Sequence, residues 1–142
     1  MKPWWLLAVD GSAAALRAVD HVVRESLASA VPLKILLVNV QHALPSDITR
    51  FVSSSIVQDY HRETGDANLA SARARLETAG IAYSQHILIG EPAPTIVDFA
   101  REHGCTQIVM GARGLGTVSG LLLGSVTQRV VHLTDLPVVI VK

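Results

Sequence analysis

The chain predicts an α/β protein built on an open, doubly wound parallel sheet of five strands, with helices on both faces. Five short apolar runs lie along its 142 residues, several nearly continuous in aliphatic and β-branched side chains. Strands buried on both faces of a parallel sheet read this way. Between the runs lie segments with apolar residues at helical spacing, and strands that alternate with helices imply βαβ units. Right-handed crossovers then place helices on both faces.

The first strand is expected at Trp5 to Val9, and Ser12 is placed to cap a helix whose Leu16, Val19, Val23 and Leu27 repeat at three and four. Lys34 to Val40 reads as the second strand. Gln41 to about Val57 reads as irregular, with Leu44-Pro45-Ser46 and Ser53-Ser54-Ser55 inside it. A connection of that length is often functional. Asp66 to Thr78 is rich in Ala, Leu, Arg and Glu, a helix by propensity, and Gly80 stands where it should stop. Tyr83 to Ile89 is the third strand. Pro94 fits the opening turn of a helix carrying Ile96, Phe99 and Ala100, which Gly104 ends. Gln107 to Met110 is the fourth strand, Val126, Val130 and Leu133 mark the last helix, and Val138 to Val141 is the last strand. No internal repeat, low-complexity tract or linker divides the chain, so a single domain over 1–142 is expected.

Hydrophobic residues make up 49% of the chain and charged residues 17%, which fits a folded core rather than disorder. A chain of this length buries roughly two thirds of its unfolded surface. Lys and Arg number 12 against 12 Asp and Glu, and a formal charge of zero argues against a basic nucleic-acid face. No apolar run approaches a membrane span. The opening residues carry one positive charge and a short apolar stretch that reaches Asp10, too short for a secretory signal. A single cysteine, Cys105, excludes an internal disulfide framework and fits a reducing compartment. A cytoplasmic protein is expected.

Polar signatures stand at the carboxyl ends of two strands. Asp10-Gly11-Ser12 follows the first, and a glycine-rich stretch from Gly111 to Gly124 follows the fourth. Ligands in open α/β sheets bind outside the carboxyl ends, where the strand order reverses. If the first and fourth strands are neighbours there, the two loops face one crevice. Exposed N–H groups and a helix start make such a loop an anion cradle. Gly111 to Gly116 has the first spacing of a Walker A loop, but Thr117 stands where Lys is required. Gly114, Gly116 and Gly120 loosely match a dinucleotide fingerprint, yet they follow the fourth strand, and Asp135 lies before the last strand rather than after the second.

Gly111-x2-Gly114-x9-Gly124-Ser125, preceded by Ile108-Val109-Met110 and followed by Val126-Thr127, resembles the nucleotide-binding signature of the universal stress protein family. The resemblance extends to Leu7-Ala8-Val9-Asp10-Gly11-Ser12, Gly90-Glu91-Pro92 and Leu136-Pro137-Val138-Val139-Ile140-Val141. It implies a sheet of order 3-2-1-4-5, which sets the first and fourth strands side by side. It also implies ATP binding. Asp10 would sit near the ribose or a phosphate-bound Mg²⁺, and Val40 would offer backbone contacts to adenine. Gly111 and Gly114 would let the loop approach ribose and phosphates, Gly124, Ser125 and Thr127 would hold the phosphates, and Met110 and Val126 would line the pocket. A homodimer through Val138 to Val141 is expected on two grounds: the family's habit, and the apolar sheet edge that this strand presents.

Each residue also has a plainer reading. Asp10 fits a helix cap or turn. Gly124-Ser125 fits an ordinary helix start. Arg113 is either a phosphate contact or a solvated loop cation. Of the six histidines, His42 follows the second strand near the crevice, and the others read as surface or half-buried positions with no metal-ligand spacing. Cys105 reads as a buried thiol, Trp4 and Trp5 as packing at the bottom of the sheet, and no nucleophilic triad or carboxylate pair is visible. The leading expectation is an ATP-binding, nucleotide-dependent stress or signalling factor with an unknown protein partner. A slow ATP hydrolase or nucleotidyl-transferring enzyme and a nucleotide-free interaction module are the alternatives.

Overall fold

A computed structural model describes residues 3–114 and 123–142. The elements run β1 (Trp4–Ala8), α1 (Ala13–Ala28), β2 (Lys34–Gln41), α2 (Ser46–Thr49), α3 (Ser54–Thr78), β3 (Tyr83–Ile89), α4 (Pro92–Glu102), β4 (Gln107–Gly111), α5 (Ser125–Leu133) and β5 (Val138–Val141). The five strands form one sheet of order β3-β2-β1-β4-β5. Every pairing is parallel, with Ala8 opposite Val38 on one side and Met110 on the other. The expected fold class and strand order are what the structure has.

Side chains alternate across each strand, so the sheet carries two cores. One packs Leu7, Val9, Ile35, Leu37 and Val109 against Ala15, Ala18, Val19 and Val22 of α1 and Leu69, Ala72 and Leu76 of α3. The other packs Leu6, Leu36, Val38, Ile108 and Met110 against Ala93, Ile96, Val97 and Ala100 of α4 and Val130 of α5. Ser12 caps α1 as expected, its Oγ accepting from the Ala15 N–H at 3.2 Å. Both predicted glycine stops are left-handed, Gly80 at φ 71° and Gly104 at φ 64°. Ile81 N–H then reaches Leu76 O and Cys105 N–H reaches Ala100 O, which satisfies carbonyls that each helix end leaves open.

The second helix and the stretch before it differ from expectation. Gln41 to Val57 contains the single turn α2, and α3 starts at Ser54 rather than near Asp66. Ser53 of the serine run is the N-cap, its Oγ accepting from the Ile56 N–H. The first half of α3 hid because its buried positions are His61 and Gly65, which do not read as an apolar stripe. In α1 the stripe is shifted. Ala14, Ala15, Ala18, Val19 and Val22 are buried, while Leu27 is 68% exposed. A helix lying this close to the sheet presents small residues to it. Among the described residues no helix is long and apolar enough to cross a membrane.

Candidate functional site

β1 lies between β2 and β4, and the chain leaves β1 for α1 on one face but β4 for α5 on the other. Such a divergence opens a crevice above the carboxyl ends. A cavity of about 240 Å³ occupies it. Asp10, Val40, Met110, Gly111, Arg113, Gly114, Gly124, Ser125, Val126 and Thr127, the positions singled out in the sequence, all line it. His42 lines it too. Gly116, Thr117 and Gly120 lie outside the described residues.

The cavity has an apolar end and a polar end. Ala8, Val38, Val40, Ile96 and Met110 form the apolar wall and continue into the α4–α5 core. Asp10, Ser12, Arg113, Gly124, Ser125 and Thr127 supply the polar side. Ala8, Ala15, Val38, Pro92 and Ile96 were not picked out as site residues. Val38 was legible in principle, since it stands two residues before Val40 on the same face of β2. The α4 residues reach the cavity only because that helix packs over the sheet.

Several site residues also hold the fold. Asp10 Oδ1 accepts from the Ser12 N–H at 2.9 Å, so the carboxylate shapes the turn into α1. Its Oδ2 lies where a Cβ on Gly114 would stand, so only glycine brings the second loop this close. A Cβ on Gly111 would meet the Ala14 carbonyl carbon at 2.7 Å and the Ala15 nitrogen at 2.9 Å. The missing side chain at Gly111 therefore serves helix packing. Thr127 is 3% exposed, and its hydroxyl donates to Gly111 O at 2.9 Å. That proton is committed to the loop, which leaves the hydroxyl oxygen as an acceptor.

Gly124 is the N-cap of α5, and no side chain caps this helix. Its N–H donates to Ala112 O at 2.7 Å, which joins the two described ends of the glycine-rich loop. Ser125 and Val126 follow at the first helical positions, where N–H groups have no partner within the helix. Ser125 and Arg113 are exposed, and Met110 is buried. Arg129 of α5 reaches Glu91 at the start of α4 across 3.4 Å. Among the described residues no group of three or more His, Cys, Asp or Glu is placed to hold a metal ion.

The remaining titratable candidates lie elsewhere. Cys105 sits just before β4, at the opposite end of that strand from the cavity, and burial pushes its thiol up to about 11. Such a thiol is no nucleophile at neutral pH. His61, expected at the surface or half-buried, is 3% exposed and hydrogen-bonded through Nδ1 to Gln41. His86 lies on β3 beside Phe99 and His103.

Comparison with known proteins agrees with this architecture. Universal stress protein YxiE of Bacillus subtilis is 30% identical over 143 residues, covering 96% of this chain and 97% of that protein. A solved structure of MJ0577 from Methanocaldococcus jannaschii superposes with a TM-score of 0.84 at 26% identity, covering 100% of this chain and 96% of the other. A universal stress protein solved in complex with cAMP matches with a TM-score of 0.67 at 28% identity, over 99% of this chain and 96% of the other. The Archaeoglobus fulgidus protein in complex with dAMP matches with a TM-score of 0.62 at 25% identity, over 100% and 98%. A model of the universal stress protein family matches residues 6–142, and the chain belongs to that family.

Proposed function

We propose that the cavity at the β1–β4 switch point binds an adenine nucleotide, with ATP and Mg²⁺ as the physiological form. The observation that carries this reading is the convergence of Asp10, Gly114 and the uncapped start of α5 around one cavity with an apolar wall. A purine fits between Val38, Val40, Ile96 and Met110, with the Val40 backbone at its edge. Phosphates belong beside Gly124, at Ser125 and Val126, where N–H groups without a partner inside the helix and the helix dipole favour negative charge. Arg113 adds a cation beside them. Two relatives solved with cAMP and dAMP support an adenine ligand.

The residues present also suit Mg²⁺ carried in by the nucleotide. Asp10 Oδ2 points toward the loop side of the cavity, and a lone carboxylate with phosphate oxygens and water is how Mg²⁺ is usually held. When bound, the ion neutralises phosphate charge that would otherwise oppose Asp10. The chain then works as a single-domain, homodimeric stress or signalling factor. Nucleotide orders the two loops and biases a surface that a partner protein reads. Ile56 and Tyr60, one turn apart on α3, and Phe51 before it are exposed apolar side chains suited to that surface.

Isothermal titration with ATP and Mg²⁺ tests the proposal. The native protein is expected to release or absorb heat saturably, and Gly124→Val to lose about tenfold or more in affinity. Absence of binding at millimolar ATP in the native protein refutes it.

A further inference from the structure

Behind the cavity, on the α1–α3 face of the sheet, a chain of polar groups, buried at Asn39 and His61 and half-buried at Gln41, runs from α3 to the end of β1. The His61 Nδ1–H donates to Gln41 Oε1 at 2.8 Å. Gln41 Nε2 donates to Asn39 Oδ1 at 3.1 Å and to His61 O at 2.8 Å. Asn39 Nδ2 donates to Val9 O at 3.0 Å. Asn39 is 1% exposed and His61 3%, where a parallel strand and its covering helix ordinarily carry aliphatic residues. Polar groups buried this deeply are tolerated only when bonded.

The two carbonyl anchors fix every direction in this chain. Val9 O only accepts, so Asn39 presents its amide nitrogen there and its oxygen to Gln41. Gln41 must then donate with its nitrogen, which leaves its oxygen to accept from His61 and sets the Nδ1–H tautomer. All three side chains donate toward Val9, an arrangement whose bonds reinforce one another. Val9 is the residue before Asp10, and α3 touches the same turn again at Gly11. A Cβ there would stand 3.3 Å from Asn68 Oδ1.

We propose that His61, Gln41 and Asn39 are positioning residues for the nucleotide site, a relay that holds the Val9–Asp10 peptide, and so the Asp10 carboxylate, from the far face of the sheet. Among the described residues α3 supplies none of the cavity lining, so this helix acts on the site through the turn after β1, by the relay and by Asn68 beside Gly11. The inference rests on the nucleotide reading for its functional meaning and on the hydrogen-bond geometry alone for the placement of the turn.

Two substitutions separate relay from packing. His61→Leu keeps bulk and removes the donor. His61→Asn loses bulk and keeps a donor where Nδ1 stood. Amide hydrogen exchange is followed at Gly11 and Ser12 in ligand-free protein, with Leu76 and Val109 as remote reporters. His61→Leu is expected to speed exchange at the turn about tenfold relative to those reporters, and to weaken adenine-nucleotide binding about three- to tenfold, while His61→Asn stays within about twofold on both. A turn that stays protected in His61→Leu overturns the relay. So does exchange that rises evenly across the sheet, or an Nε2–H tautomer in the His61 nitrogen-15 spectrum. A native protein that binds no adenine nucleotide refutes the nucleotide reading alone, because the exchange comparison needs no ligand and still decides the relay.

Discussion

Gly111, Gly114 and Thr127 show how one short motif serves both fold and site. Gly111 lacks a side chain because α1 lies on it, and Gly114 because Asp10 occupies the space. Thr127 spends its proton on Gly111 O, which pins the start of α5 to the end of β4. These three duties belong to the scaffold, and each presents backbone to the cavity as a consequence. Gly111→Ala should therefore lower stability before it touches any ligand. Its Cβ would press on helix backbone at 2.7 and 2.9 Å, which cannot rotate away. Overpacking of that kind costs about 1–3 kcal/mol. Chemical denaturation of the ligand-free protein measures it, and an unchanged midpoint would show that α1 shifts freely.

At the scale of elements, the helices are seated by small and polar residues as much as by large apolar ones. α1 meets the sheet with three alanines, and α3 meets it with His61 and Gly65 followed by Leu69, Ala72 and Leu76. β3 and α4 share a third kind of contact. His86 of β3 lies 4.9 Å from the Phe99 ring, and Phe99 stacks on His103 at 3.9 Å. Burial first, and the neighbouring His103 second, hold the His86 imidazole below its usual 6.5. The unfolded chain therefore binds a proton at a higher pH than the folded one does. Stability is full above about pH 6.5 and falls as the pH drops from there toward the lowered folded value. Melting curves between pH 7 and 5 should show this loss, and His86→Gln should remove part of the slope. An identical slope in the variant would assign the acid sensitivity to other groups.

At the scale of the whole molecule, the sheet formed by the described residues has two edges, β3 and β5. β3 pairs with β2 and is flanked by α3 and α4, while β5 pairs with β4 and packs against α1, all four of its residues half-buried. Ile140 faces Met110 across the ladder but belongs to neither core cluster. An apolar edge of this kind is an invitation to pair with another chain. On the homodimer reading, Ile140→Lys is expected to give a monomer by sedimentation while its melting temperature stays close to that of a native monomer. A native protein that sediments as a monomer refutes that reading.

The sequence alone was enough for the parallel sheet, because five apolar runs separated by helical spacing admit few other folds. It was enough as well for the polar positions of the cavity, since Asp10 stands in one short motif and Gly111, Gly114, Gly124, Ser125 and Thr127 in another. It was not enough for Ala8, Ala15, Val38, Pro92 and Ile96, which only packing brings there. The order of the strands became legible through the family resemblance. It could not reveal that α3 begins at Ser54, because the buried face of its first half is polar or bare and carries no hydrophobic period. Nor could it connect His61 to Asp10. Those residues stand 51 positions apart by their numbers, and their relation passes through Gln41 and Asn39 only after α3 has packed on the sheet. Local pattern specified the elements and the motif, and tertiary packing alone decided which buried polar groups meet and what each glycine makes room for.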